Sequence, residues 1–341
     1  MLSRVYRLVE PHTVEPVEQQ VQVGEGMVVV RPTHLSICNA DQRYYQGRRS
    51  ARAMAKKLPM ALIHEGIGQV VYDMSGELVP GAKVVMLPND SVEQDDVIAE
   101  NYLESSRFCG SGYDGFMQEL CVLPAIRVLE LPQGIDPHVA AFTELVSVAV
   151  HAVTRFESIA HARREAMGVW GDGNVGFIVS LVLRALYPDM KIYVFGRNPY
   201  KLDDFTFVDR TFLTNNIPNS LRVDHAFECC GGEGAAHAIE QIIDCILPEG
   251  TVSLLGVSEN PVPVNTRMVL EKGLRLYGSS RSSRADFEKT LTLYEANPQV
   301  LDYLSSLVGS VVSVESVRDI STAFDVDVRK QMGKTIMLWN M

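Results

Sequence analysis

Long apolar runs are absent from this 341-residue chain. The best stretch, Phe177 to Tyr187, is broken by Arg184 well short of the roughly 18–20 residues that span a bilayer. No signal-peptide core opens the sequence, because Met1 to Val14 alternates Arg4 and Arg7 against Val5 and Leu8 in the manner of a half-buried strand. Cysteine is sparse: Cys38, Cys109, Cys121, Cys229, Cys230 and Cys245 lack the close spacing of a disulfide-stapled small domain. These absences point to a reducing compartment, the cytoplasm, with thiols available for metal or for packing. Positive charge is also in short supply. With 31 Lys and Arg against 42 Asp and Glu the net charge is −11, which excludes a global field that attracts nucleic acid or an anionic membrane. An anionic ligand must be met by a local cluster of cations. Repeats and low-complexity segments are missing too, and the length fits two globular domains.

From Val5 to about Pro132, short β-like runs are separated by Gly, Pro and Asp: Met27 to Pro32, Gly68 to Tyr72, Lys83 to Leu87, Gly115 to Val122 and Arg127 to Leu131. They predict a β-rich, barrel-like domain. Gln46 to Lys57, rich in arginine and lysine, and Asn89 to Tyr113 read as loops or helical excursions. Pro137 to Phe156 is apolar at helical spacing, and from Ala166 strands and helices alternate, the signature of a doubly wound parallel sheet. Six strands are predicted there: Ala166 to Gly171, Lys191 to Gly196, Arg210 to Leu213, His225 to Cys230, Thr251 to Val257 and Leu274 to Ser279. Beyond Ser280 the pattern gives helices over Arg284 to Ala296 and Leu301 to Leu307 and a strand over Lys334 to Leu338, a tail able to rejoin the first domain.

Val169 to Gly176 reads strand, then G-x-G-x-x-G, then apolar helix, the context a dinucleotide turn requires. Gly171 permits the tight turn, Gly173 the approach of the pyrophosphate and Gly176 close helix packing, with the amides of Asn174 and Val175 at the helix N-terminus facing phosphate. The second strand ends Phe195-Gly196-Arg197-Asn198 with no acid to bind a free ribose hydroxyl pair, and Lys201 follows. A small residue and two cations favour the 2′-phosphate of NADP(H). Gly256, in the fifth strand, completes the cofactor-binding set. Cys229 and Cys230, at the end of the fourth strand, read as packing.

Zinc that does chemistry draws about three ligands from Cys, His and carboxylate, and Cys38, the pair His64-Glu65, and Glu144 are available. Their separations are too long for spacing to decide among them. The order Cys38, His64-Glu65-Gly66-Ile67-Gly68, Gly115-Phe116, Glu144 and then the glycine turn resembles the medium-chain dehydrogenase/reductase family of zinc alcohol and polyol dehydrogenases, over nearly the whole chain. The resemblance implies a GroES-like barrel catalytic domain, residues 1–148 and 285–341, and a Rossmann domain, residues 149–284. It implies zinc in a cleft on Cys38, His64 and either Glu65 or Glu144, with Asp41 as support or as buried structure. The family's four-cysteine lobe falls in Pro88 to Tyr113, where only Cys109 stands, so one catalytic zinc and no structural zinc is expected. Ala40 occupies the position of the family's proton-relaying Ser or Thr, leaving Tyr44, Glu65 or a zinc-bound water for that role.

Longer strings narrow the likeness: Ser36 to Tyr45, Leu58-Pro59-Met60, Ile63 to Gly66, Asp95 to Leu103, Trp170 to Asn174 and Gly278 to Ser282 together resemble the ribulose-5-phosphate reductases within that family. That resemblance implies reduction of D-ribulose 5-phosphate to D-ribitol 5-phosphate by NADPH, supplying CDP-ribitol for teichoic acid or capsule synthesis. It also implies functional coupling to a ribitol-5-phosphate cytidylyltransferase, and a homodimer. A sugar phosphate needs cations, for which Arg43 and Arg281 are chosen over Arg48, Arg49, Arg52 and Arg284. Two other readings stay open: a zinc polyol dehydrogenase of unphosphorylated sugar alcohols, and a non-catalytic NADPH sensor suggested by Ala40.

Overall fold

The structure, a computed structural model, describes residues 2–91 and 93–341. Two compact units divide the chain: one runs to Glu144 and resumes at Ser282, and the other comprises Leu145–Arg281. In the first unit the N-terminal run is a hairpin, β1 (Leu2–Glu10) and β2 (Thr13–Gln20), not one strand over residues 1–14. His12, with φ of 65°, makes the turn. There follow β3 (Met27–Ser36), α1 (Asn39–Tyr45), α2 (Ala51–Lys57), β4 (Met60–Ala61), β5 (Glu65–Asp73), β6 (Lys83–Met86), β7 (Asn89–Asp90), β8 (Arg107–Phe108), β9 (Cys121–Pro124) and β10 (Val128–Glu130). Period-two apolar positions, such as Val28 and Val30 on β3 and Val84 and Met86 on β6, fill one core with Leu35 and Val70.

The strand expected over Gly115 to Val122 forms only from Cys121. The amides of Gly115, Phe116 and Met117 bond instead to the carbonyls of Ala61, Ile63 and Leu62, and Gln118 N–H turns back to Phe116 O. This segment is committed to the loop that carries His64, and its pairing with β1 is a single antiparallel bridge of Gln118 to Val5.

After α3 (Pro137–Ala140), α4 (Thr143–Ile159) starts in the first unit and continues in the second. The second unit holds β11 (Ala166–Trp170), α5 (Asn174–Leu186), β12 (Lys191–Gly196), α6 (Pro199–Leu202), β13 (Arg210–Leu213), β14 (His225–Glu228), α7 (Gly234–Cys245), β15 (Thr251–Leu254), α8 (Thr266–Lys272) and β16 (Arg275–Gly278). Its parallel sheet runs β13-β12-β11-β14-β15-β16. Every residue of central β11 is buried, as a strand covered on both faces must be. The order reverses between β11 and β14, which puts a ligand crevice outside their carboxyl ends.

The tail forms α9 (Arg284–Ala296), α10 (Pro298–Ser305), β17 (Val308–Val314), α11 (Val317–Arg329) and β18 (Lys334–Trp339). β18 pairs antiparallel with β3 and parallel with β17, so the chain's end completes the sheet β10-β6-β5-β3-β18-β17, with β9 also on β3. The helix expected over Leu301 to Leu307 starts earlier because Pro298 occupies its first turn. β17 and α11 were not foreseen, although Ile320, Ala323, Phe324 and Asp327 bury one face of α11 at helical spacing. Both units together match the expected architecture of a β-rich domain and a doubly wound α/β domain. Among the described residues no helix is long and apolar enough to cross a membrane.

One buried histidine ties acid stability to the second sheet. His225 is fully buried; its Nε2 faces Arg163 O at 3.1 Å and its Nδ1 accepts from Thr251 N–H at 3.1 Å, a pattern that suits the neutral ring. Burial, then the neighbouring His161, lowers its pKa to about 4. The unfolded chain binds this proton near pH 6.5 and the folded one near 4, so stability is lost as pH falls through that window. Thermal unfolding followed from pH 7 to 4.5 should show His225→Gln losing less stability than wild type, by on the order of 2 kcal/mol. Parallel profiles for the two proteins would refute the assignment.

Candidate active site

Register brings the first set of candidates together. β3 and β5 pair so that Ser36 faces Glu65, and the chain leaves β3 into α1 through Cys38, the cap residue of that helix. Ligand atoms of Cys38, His64 and Glu65 all lie within 4.8 Å of one another. Asp41, in the first turn of α1 and fully buried, fixes this geometry. One of its oxygens accepts from Cys38 N–H at 3.0 Å, and the other from Ile63 N–H at 3.0 Å, lying 3.4 Å from His64 Nδ1. The same carboxylate thus holds both halves of the cluster.

Ile63 has φ of 70°, a conformation that costs a β-branched residue about 1–3 kcal/mol. It is maintained by its N–H bond to Asp41 and by Phe116 N–H on its carbonyl at 2.7 Å. A Cβ built on Gly115 would lie 2.2 Å from Ile63 O, so only glycine lets the two segments meet. The strained peptide aims the next residue, His64, at Cys38.

Glu65 is held from two more directions. Ser36 Oγ donates to its Oε2 at 2.8 Å, and the ammonium of Lys334, at the start of β18, is 2.8 Å from each oxygen. Both partners of this ion pair are buried, and Glu65 raises the Lys334 pKa above its ordinary value against the opposing effect of burial. His64 is likewise raised well above its usual range: burial works against the charged ring, but Asp41 and Cys38 outweigh it. Glu144, in the first turn of α4, is buried beside the cluster without joining the three. Burial pushes its carboxyl up to about 7, with Glu65 adding to the rise and His64 and Lys334 opposing it. A thiol, an imidazole and a carboxylate converging within 4.8 Å are the donor types zinc selects.

In the second unit the glycine turn sits at the carboxyl end of β11. Gly171 has φ of 137°, and a Cβ on Gly176 would lie 2.0 Å from Gly171 O. Nothing lies within 4 Å of the Cβ position of Gly173, the residue from which α5 starts with Asn174 and Val175. Asp172 Oδ2 accepts from the amides of Arg197 and Asn198 at 2.7 and 2.8 Å. The space left by Gly196 is filled by that same Asp172 and by Leu202. The expectation that Gly196 clears room for a phosphate is therefore corrected: it clears room for Asp172, which shapes the loop carrying Arg197. Gly256 has a similar reason, since a Cβ there would meet the Glu228 carboxylate, which accepts from Gly256, Cys230 and Gly231 amides. Arg197 is exposed, and Lys201 lies in the last turn of α6.

Comparison with known proteins places this geometry. Residues 24–133 match the alcohol dehydrogenase GroES-like domain, and residues 182–296 the zinc-binding dehydrogenase domain. Over the full length of both chains the sequence is 55% identical to a ribulose-5-phosphate reductase of Bacillus spizizenii and 50% identical to ribulose-5-phosphate reductase 1 of Staphylococcus aureus. The chain belongs to the ribulose-5-phosphate reductase family. Among solved structures, Staphylococcus aureus TarJ in complex with NADPH superimposes with a TM-score of 0.89 at 45% identity, all of each chain being covered. As a member of this reductase family the protein is an oxidoreductase of the zinc-binding dehydrogenase kind, with a GroES-like and a Rossmann domain.

The sequence singled out Cys38, His64 and Glu65, which the structure brings together, but not all that holds them. Asp41 was read as support or as buried structure, and Ser36 stood only at the start of the string Ser36 to Tyr45. Lys334 carried no signal, because 269 residues separate it from Glu65. Tyr44 is not joined to the three: its hydroxyl accepts from Lys57 at 2.8 Å. Arg43 lies on α1 and is half-buried, while Arg281 belongs to the second unit, with φ of 60°.

Proposed function

We propose that the protein reduces D-ribulose 5-phosphate to D-ribitol 5-phosphate with NADPH, and the full-length 55% identity to a reductase so named is the observation that carries this reading. NADPH, when bound, would supply the hydride taken up at C2 of the ketose, and water would supply the proton that completes the alcohol. One zinc ion would be held by Cys38, His64 and Glu65, with Glu144 as a second carboxylate beside them. When bound, the ion acts as a Lewis acid on the C2 carbonyl oxygen and stabilises negative charge developing there. Asp41 keeps the thiol and imidazole in register, and Ser36 and Lys334 orient Glu65 and offset its charge. NADPH would lie on the glycine turn with its 2′-phosphate at Arg197 and Lys201, support for which is the NADPH carried by the similar TarJ structure. On this reading the enzyme works in the cytoplasm and supplies a cytidylyltransferase that makes CDP-ribitol for teichoic acid or capsule. It forms a homodimer through β16, one of the two edge strands of the six-stranded sheet.

The test is NADPH oxidation, followed by absorbance, with D-ribulose 5-phosphate and with D-ribulose, before and after zinc chelation. Turnover with the phosphate, at least about 100-fold better in kcat/KM than with the free ketose and lost on chelation, is expected. Equal turnover of both sugars would favour a polyol dehydrogenase, and none with zinc-loaded protein would favour a sensor.

A further inference from the structure

We propose that Lys57, Ser111 and Tyr44, with Arg49, form an anion subsite that takes the phosphate of the sugar substrate, an inference that rests on the sugar-phosphate reading above. Between Asp41 and Glu65 stand six cations, Arg43, Arg48, Arg49, Arg52, Lys56 and Lys57, and no carboxylate, in a chain whose net charge is −11. This is the local basic cluster that an anionic ligand requires of an acidic protein.

Lys57 is the member the fold draws inward. It ends α2, is half-buried, and its ammonium donates to Tyr44 Oη at 2.8 Å and to Ser111 Oγ at 2.9 Å. No carboxylate pairs with it among the described residues. Asp114, the acid nearest Ser111 in the sequence, is taken up by Arg7 at 2.6 Å and by the Ala61 amide. An ammonium has three N–H donors, and a hydroxyl that accepts one of them keeps its own hydrogen to give. Among the described residues, the third Lys57 N–H and the Ser111 and Tyr44 hydroxyls are thus donors without an acceptor, gathered around one positive charge. The Arg49 guanidinium stacks 4.9 Å from the centroid of the Tyr44 ring, whose other neighbour is the Lys57 ammonium at 5.5 Å. Partly desolvating the Lys57 ammonium with hydroxyls alone as partners is unfavourable, and a phosphate dianion restores the balance.

The subsite is tied to the proposed metal centre through three residues. A Cβ on Gly110 would lie 3.6 Å from both His64 Nδ1 and Asp41 Oδ1, and one on Gly112 would lie 3.5 Å from Lys57 Cγ, with Ser111 between them. Both glycines have positive φ, 68° and 98°. From residue 110 to 112 the backbone spans at most about 7 Å, the scale of a five-carbon chain with a phosphate at one end and a carbonyl near the other.

The experiment is steady-state kinetics of the zinc-loaded full chain, comparing wild type with Lys57→Met, Lys57→Arg and Ser111→Ala. Lys57→Met is expected to raise KM for D-ribulose 5-phosphate about 10–100-fold with kcat changed less than about 3-fold. The preference for the phosphate over D-ribulose should fall by the same factor. Lys57→Arg restores part of the loss, Ser111→Ala shows a smaller one and guards against misfolding of the lysine variants, and Lys191→Met, at an exposed lysine of the other unit, behaves as wild type. A wild-type KM in Lys57→Met overturns the subsite. Should wild type not distinguish the two sugars, the substrate reading fails instead, and calorimetry with inorganic phosphate then decides. Binding by wild type that weakens in Lys57→Met supports the subsite, and no binding by wild type overturns it.

Discussion

His64→Gln is expected to lower kcat/KM for ketose reduction by about 10³-fold or more and to reduce bound zinc in the purified protein, measured by elemental analysis. The argument is local. His64 reaches Cys38 and Glu65 only because Ile63 is held at positive φ by Asp41 and by the amide of Phe116. Glutamine keeps a polar tip but lacks the imidazole nitrogen that suits zinc. Structural collapse would give the same loss of activity for a different reason, so the variant must still bind NADPH, whose proposed site lies in the other unit. An active, zinc-free His64→Gln protein would remove the metal from the mechanism. Because Asp41 and Cys38 favour the protonated ring, zinc loading should also weaken toward acid pH, where the ion competes with that proton.

What the sequence disclosed follows the range of the interactions. The glycine turn is read within eight residues, and the structure gives Gly171 a positive φ, Gly173 open space and Gly176 a 2.0 Å approach to Gly171 O. The mostly buried, apolar β12 and the partly exposed edge strand β13 were both legible to the residue. Cys38 and His64 were visible as residue types whose meaning depended on resemblance, because pairing of β3 with β5, not spacing, brings them together. Lys334 was invisible: it enters through β18, a strand that crosses to β3 from the other end of the chain. Gly196 was noticed for the wrong reason, since a missing side chain does not say which neighbour needs the space. Here Asp172, itself inside the glycine motif, fills it.

Arg197→Gln carries the second large effect, a rise of about 10–100-fold in KM for NADPH with less than about 3-fold change for NADH. Asp172 Oδ2 binds the backbone amides of Arg197 and Asn198, so the loop after β12 keeps its course whatever side chain stands at 197. The guanidinium itself is exposed and makes no ion pair among the described residues. Removing it therefore takes away charge without breaking a structural contact, and a charged hydrogen bond to phosphate is worth about 1.5–3 kcal/mol. NADH lacks the 2′-phosphate and has nothing to lose there, which makes the ratio of the two cofactors the sensitive readout. Lys201, half-buried in α6, is a single point charge and cannot replace a planar fork of donors. If the NADPH-to-NADH ratio of kcat/KM survives Arg197→Gln unchanged, the dianion is held elsewhere. The missing acid at the end of β12 would then mark only a site that tolerates NADPH, not one that selects it.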